Sequence, residues 1–491
     1  MNRLPLFTVL AVAGAATLLL EVTATRLLAP YFGNSIYVLS SVLAVILGFL
    51  SLGYWMGGIL AERYPPHRVL FSTVAAGGIG GLLVSLLMTT IMPTLGFALP
   101  ATWGPLVASI LLFSAPSTCL GMVAPSAVRL HPLAASAPGR AAGEVLALST
   151  VGSIGGSVLG GFFLVPVVGL RWTILGMALV LLLSGGLGLG KRRTPMEGAL
   201  FLGTLLLTPP AVLVPWTWFL GSSLIHEEST PYQHVLILDR PDPERGGEIT
   251  RYLLADHALM SAEDRETGEP TFTYAQEILA AIENLPRRER IAVLGGGAFT
   301  LPRVLHERYP EATIDAVDID PELPAIAGTY FRLRPTARLR IHPSDGRRFL
   351  KSTDGTYDVV VLDMYQSLAI PPHTLTEEFF LLLATRLNPQ GVIIMNIIGL
   401  PPDGGPSLPA AVAHTAAVAF PYQTLVALPS SEKLGNFLLA ASREDHLVHA
   451  WSPRIGRRVP LPPDLLMTAP VFRDDLANTV LYETALAQAL R

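Results

Sequence analysis

Three aspartates in the second half of the chain are spaced as groups that could do chemistry: Asp318, Asp345 and Asp363. Each closes or closely follows an expected strand, at 313–317, 338–342 and Tyr357–Leu362. Acids at successive strand ends line the crevice where open α/β sheets hold ligands. They suit an electropositive ligand that also carries hydroxyls. Asp318 could take two ribose hydroxyls and Asp345 an exocyclic amine. Asp363 could orient or deprotonate an attacking nucleophile. Upstream stand Gly295, Gly296 and Gly297, after the apolar run 291–294 and before a helix-like segment, 301–308. Strand, glycine turn, helix, strand, acid is the order of a nucleoside-binding βαβ unit. Glycine turns tightly and lets a ligand approach the backbone with no Cβ in the way. GGGAF is not GxGxxG, so a nucleoside without phosphates fits better than a pyrophosphate.

The elements that must hold these residues follow from the pattern of 222–491. Strands are expected at 234–239 and 249–256, joined across 241–247, where Gly246 and Gly247 suit a hairpin turn. Helices are expected at 272–283, 376–387 and 407–419, and further strands at 391–396, 424–428 and 437–441. Alternating strands and helices predict an α/β doubly wound domain, Rossmann-like and methyltransferase-type, with a mostly parallel sheet. Its expected extent is 272–445, behind a small β-hairpin subdomain at 222–271 and before a C-terminal tail at 446–491.

Residues 1–221 have a different solvent preference. The 491-residue chain is 51% hydrophobic and only 15% charged, and the apolar excess lies in this part. Seven apolar runs, at 4–28, 36–60, 69–93, 104–130, 143–168, 171–190 and 198–220, are each long enough to cross a hydrocarbon core of about 30 Å. The first is too long for a signal peptide, and others follow it. Arg3, Arg63, Arg68, Arg129, Arg140 and Lys191 to Arg193 fall on one side, against Arg26 and Arg171 on the other, which makes the first side cytoplasmic. Seven spans would then put the second part outside, although its ligand is made inside. The last run carries Pro209, Pro210, Pro215, Trp216 and Trp218 and is the candidate for a broken or re-entrant segment. The expectation is a multi-pass inner-membrane protein whose soluble domain leans to the cytoplasm. Gly53 with Gly57, and Gly152 with Gly156 and Gly160, suit close helix packing in lipid. Glu21, deep in the first span, is expected to face a cavity or a partner. The single cysteine, Cys119, excludes an intrachain disulfide or a cysteine metal cluster. A net charge of -4 argues against nucleic acid as a partner.

In order along the chain, several motifs resemble the spermidine synthase (polyamine aminopropyltransferase) family, in its membrane-fused form. Residues 228–233, ESTPYQ, look like its ES-YQ opening, and Leu254-Ala-Asp256 looks like its LDG turn. Tyr274 and Glu277 match the outer residues of its YHE motif. The Gly295–Gly297 turn, VDID ending at Asp320, Ser344-Asp345-Gly346 and YDVVVLD ending at Asp363 continue the match across about 225–445. The resemblance implies that Gln233, Asp256, Tyr274, Gly295, Gly296, Gly297, Asp318, Asp345, Gly346 and Gln366 bind substrates. It makes Asp363 the base. It implies no metal and no prosthetic group; decarboxylated S-adenosylmethionine or S-adenosylmethionine would be the donor, with a methylthioadenosine-type product.

The departures from the family pattern fall at one end of the site. Ala298 and Gln366 stand where the family has aspartates, Met260 replaces a glutamine and Ala275 a histidine. Burying an ammonium group without its carboxylate costs several kcal/mol. Three functions stay open: aminopropyl transfer to an amine, S-adenosylmethionine-dependent methylation of an amine or lipid-borne acceptor, and a non-catalytic nucleoside or polyamine sensor or transporter-like protein. Membrane lipid and a small amine are the expected partners, with a homodimer allowed.

Overall fold

The computed structural model describes residues 3–32, 36–99, 103–189, 223–256, 258–365, 370–402, 407–429, 435–461 and 469–474, with 198, 204, 206 and 208. The chain divides into two units, Met1–Ser222 and Ser223–Arg491.

The first unit is helical: α1 (Arg3–Phe32), α2 (Ile36–Arg63), α3 (Pro66–Thr90), α4 (Met92–Ala98), α5 (Gly104–Gly121), α6 (Val123–Leu130), α7 (Pro138–Leu159), α8 (Val165–Val168) and α9 (Leu170–Leu189). Among the described residues six stretches are long and apolar enough to cross a membrane, the fourth being α5 with α6 and the fifth α7 with α8. The seventh expected run, 198–220, lies outside the described residues apart from the four isolated positions. Small residues set the closest helix pairs. A Cβ on Gly152 or Gly156 would run into the backbone of Ala11 or Ala15, and Ser153 Oγ donates to the Gly14 carbonyl at 2.9 Å, so α7 lies directly on α1. Gly53 and Gly57 meet the backbone of α5 and Met122 in the same way.

The second unit holds two sheets. β1 (Leu224–Ser229), β2 (His234–Asp242), β3 (Glu248–Ala255) and β4 (Ala258–Asp264) form a four-stranded antiparallel sheet in sequence order. The expected hairpin is its middle pair. The outer strands went unread because 224–229 is polar and 258–264 alternates too briefly.

The eight-stranded sheet has the order β12-β10-β11-β9-β8-β5-β6-β7. It is built from β5 (Arg290–Leu294), β6 (Thr313–Asp318), β7 (Leu339–Pro343), β8 (Tyr357–Leu362), β9 (Leu387–Gly399), β10 (Tyr422–Ala427), β11 (Gly435–Ser442) and β12 (Arg457–Val459). β5 to β9 pair in parallel, whereas β11, β10 and β12 add one antiparallel flank. Part of the segment expected as a tail therefore completes the sheet edge.

The helices are α10 (Thr273–Glu283), α11 (Thr300–Arg308), α12 (Leu323–Tyr330), α13 (Gly346–Ser352), α14 (Glu377–Thr385), α15 (Leu408–Ala416) and α16 (Asp445–Ala450). They cover both faces. In β5, Ile291 and Val293 join one core with α10 and α11, while Ala292 and Leu294 join the other with α14 and α15. Every residue of β8 is buried, as expected of a central parallel strand. Each such Val or Leu contributes about 1.5–3 kcal/mol of burial. The strand order reverses between β5 and β8, and the crevice at that switch point is where the site lies.

Candidate functional site

The glycine turn leaves β5 at the switch point. Gly295 has φ +103°, and a Cβ there would run into the backbone carbonyl of Asp363, so this position accepts only glycine. Gly297 has φ +50°, and its Cβ would come within 2.6 Å of Ser261 Oγ. The turn is held from the next strand. Asp318, the last residue of β6, accepts the Gly296 N–H at 2.8 Å and the Gly297 N–H at 3.3 Å, and its other oxygen accepts the Asp320 N–H at 3.0 Å. Burial pushes the Asp318 carboxyl up, and this outweighs the backbone donors. A carboxylate has about four lone-pair sites. The three backbone donors leave about one site for a ribose hydroxyl.

Asp363 follows β8 directly. Its N–H donates to the Leu294 carbonyl at 2.8 Å, tying it to the strand that delivers the glycines. Its Oδ1 accepts Asn396 Nδ2 at 2.9 Å, and Asn396 Oδ1 accepts Asn436 Nδ2 at 2.9 Å. The Tyr274 hydroxyl, which donates to the Met260 carbonyl at 3.4 Å, also favours the ionised carboxylate. Desolvation raises the Asp363 carboxyl above the usual range despite these donors, and it raises the Tyr274 and Tyr365 hydroxyls as well. These groups line a cavity of about 300 Å³ that also touches Gly296 and Gly297. Its other walls are apolar or uncharged, among them Phe272, Met260, Ile398 and Leu428.

Asp345 caps α13. Its Oδ1 accepts the Arg348 N–H at 2.8 Å and its Oδ2 meets His373 Nε2 at 2.9 Å. Burial works against ionisation here, but the Arg348 N–H and His373 outweigh it and hold the carboxyl below its ordinary value. The strands that carry Asp363, the glycine turn, Asp318 and Asp345 are consecutive in the sheet. At about 4.8 Å per strand, the outer acids stand on the order of 15 Å apart, enough for a nucleoside and its tail.

The remaining expected residues fall in two groups. Tyr274 lines the cavity, and Gly346 begins α13, where a Cβ would approach Met364 Sδ at 2.6 Å. Gln233 and Asp256 are engaged in the scaffold. Gln233 Nε2 donates to Asp320 Oδ2 at 3.1 Å, beside Thr230 Oγ1 at 2.6 Å on the same oxygen. Asp256, at φ +48°, accepts the His234 N–H at 3.0 Å. Gln366 lies outside the described residues. Glu277 is wholly buried and accepts from Trp451 Nε1 and from the N–H groups of Arg454 and Ile455. Sequence reasoning missed Asn396, Asn436, Tyr365 and His373. Asn396 had a signal, as one polar residue in the apolar run GVIIMNIIG.

Residues 272–397 match the spermine/spermidine synthase domain family. A polyamine aminopropyltransferase of Vibrio vulnificus is 30% identical over 184 residues, covering 36% of this chain and 59% of that protein. The eEF1A lysine and N-terminal methyltransferase of Homo sapiens is 31% identical over 120 residues, 22% of this chain and 17% of that protein. The polyamine aminopropyltransferase 2 of Aquifex aeolicus is 26% identical over 404 residues, 78% of this chain and 76% of that protein, so this likeness reaches into the apolar helices. The chain spans less than two thirds of the length of the first two. The glycine turn, the three strand-end acids and the domain match agree: the second unit is similar to the spermine/spermidine synthase domain and to the polyamine aminopropyltransferases.

Proposed function

We propose that the second unit transfers an aminopropyl group from decarboxylated S-adenosylmethionine to an amine, with the first unit anchoring it in membrane lipid. The observation that carries this reading is Asp363, a carboxylate in a largely uncharged cavity that opens onto the glycine turn. The donor's ribose would meet Asp318 and its sulfonium would face the cavity. The amine nitrogen attacks the carbon bound to sulfur, the C–S bond breaks, and its electron pair stays on sulfur as methylthioadenosine. Asp363 takes the proton that the nitrogen loses. Desolvation favours this step, because a carboxyl with a raised pKa is a stronger base than one in water. Asn396 orients the carboxylate by a hydrogen bond.

Methyl transfer from S-adenosylmethionine is the second reading, and Ala298 favours it. Ala298 is fully buried beside the glycine turn and its N–H donates to Ser261 Oγ at 3.0 Å. A carboxylate at this position would attract the ammonium of a decarboxylated donor and repel the carboxylate of S-adenosylmethionine. Alanine removes both effects, and the likeness to a human methyltransferase agrees with it. The site is therefore expected to bind methylthioadenosine, S-adenosylmethionine and decarboxylated S-adenosylmethionine within about tenfold of one another, roughly 1.4 kcal/mol. Calorimetry with the three ligands checks this; a preference above about a hundredfold for the decarboxylated donor would sink it. Product analysis then separates the chemistries. Methylthioadenosine supports aminopropyl transfer and S-adenosylhomocysteine methyl transfer. Neither product, with ligand bound, would mean a binding protein.

A further inference from the structure

A second cavity, of about 330 Å³, lies at the other end of β4 from Met260. Arg251 of β3, Arg265 after β4, and Arg332 and Arg334 after α12 all face it, with Glu263 and Tyr330 between them. Four guanidinium groups thus converge from three separate chain segments. Two carboxylates sit against them. Asp239 takes Arg251 through both oxygens, at 2.7 and 2.8 Å, and Arg265 at 3.4 Å. Glu263 takes Arg332 at 3.7 Å and Arg303 at 3.1 Å, the latter shared with Glu307.

Part of this basic cluster serves the helix. Arg251 donates to the Tyr330 carbonyl and Arg334 to the Gly328 carbonyl, which satisfies the last turn of α12. That role leaves the charge uncompensated. The four lining guanidiniums exceed the two carboxylates by two positive charges, in a chain whose net charge is -4. Among the described residues no ion pair reaches Arg334, and the side chains of Arg265 and Arg332 are 56% and 43% exposed, although Arg332 also donates to the carbonyls of Arg265 and Glu266.

We propose that this cavity binds a phosphate-bearing anion, either a phosphorylated small molecule or a phospholipid headgroup. The planar guanidinium fork matches phosphate oxygens in pairs. The volume is at the lower end of small-molecule sites, about 300–1,000 Å³. The site is separate from the Asp363 cavity and does not depend on which group that cavity transfers.

The test uses the full chain in an uncharged detergent, titrated calorimetrically with inorganic pyrophosphate. Saturable binding is expected. It should weaken at least tenfold in Arg265→Ala/Arg334→Ala. It should change less than twofold in Arg308→Ala/Arg338→Ala, which removes the same charge from pairs outside the cavity. Absence of saturable binding, or an equal loss in both double variants, would overturn the proposal. If the first variant does not fold, Arg265→Lys/Arg334→Lys keeps the charge and loses the fork; it should bind at least threefold more weakly, and unchanged affinity would count against the site. Vesicles separate the two sources. Apparent pyrophosphate affinity that falls tenfold in phosphatidylglycerol but not in phosphatidylcholine assigns the site to a headgroup. Equal affinity in both assigns it to a free phosphorylated molecule.

Discussion

At the scale of single residues, Asp363 must lose its proton in a place that resists charge. Its folded pKa lies above the ordinary carboxyl value because burial outweighs Asn396 and Tyr274. A carboxyl raised in this way contributes its stability fully below the unfolded pKa and loses it as pH climbs through the folded pKa. Asp363→Asn carries no such loss. Its melting temperature should gain on the wild type as pH rises from acid to neutral, while turnover on an amine falls roughly 10²- to 10⁴-fold. Melting curves across pH, with a steady-state assay, check both halves; full turnover in the variant would show that Asp363 is not the base. Asp318 has the opposite balance of roles. Asp318→Ala should weaken methylthioadenosine binding by about 1.5–3 kcal/mol in calorimetry, the usual loss for hydrogen bonds to a charged group. Part of that loss comes through the turn, since the Gly296 and Gly297 N–H groups lose their acceptor.

The elements show which parts were legible. β5, the glycine turn, β6 and β8 could be read from the chain because each signal is local: a β-branched run, a Gly triplet, an acid at the strand end. The amide pair behind Asp363 could not. Asn396 and Asn436 meet only because β11 lies beside β9, a pairing of strands 40 residues apart that no local pattern records. His373 stands on Asp345 for the same kind of reason, across 28 residues. The strand inside the segment expected as a tail could not be read either, because β12 is only three residues long. In the helical unit the small-residue spacing was readable, and it gives a direct test. Gly156→Leu would push a side chain into the Ala15 backbone of α1. Overpacking of this kind costs about 1–3 kcal/mol or more. Thermal melting in detergent should show it, with Gly155→Leu, which meets open space, as the silent control.

For the whole molecule, the positions of the arginines predict an orientation. With the six long apolar helices crossing in alternation, Arg63, Arg68, Arg129 and Arg140 would share the side where α1 begins, and Arg129 approaches Glu62 at 3.8 Å. That side is expected to be cytoplasmic. In a Cys119→Ser background, single cysteines at Arg68 and Arg140 should react with an impermeant maleimide only after permeabilisation; labelling of intact cells would reverse the orientation. The bond between Glu277 and the segment at Trp451 has a consequence for how the protein is made. The two partners are separated by 174 residues, and no other acceptor among the described residues serves Trp451 Nε1. At about 5–20 residues per second, the ribosome takes roughly 10 to 35 s to make that stretch. During this time α10 presents a carboxylate whose destined burial site does not yet exist. The second unit can therefore close fully only once Trp451 has been made, and a ribosome stalled before it would hand the cell's proteases an open sheet.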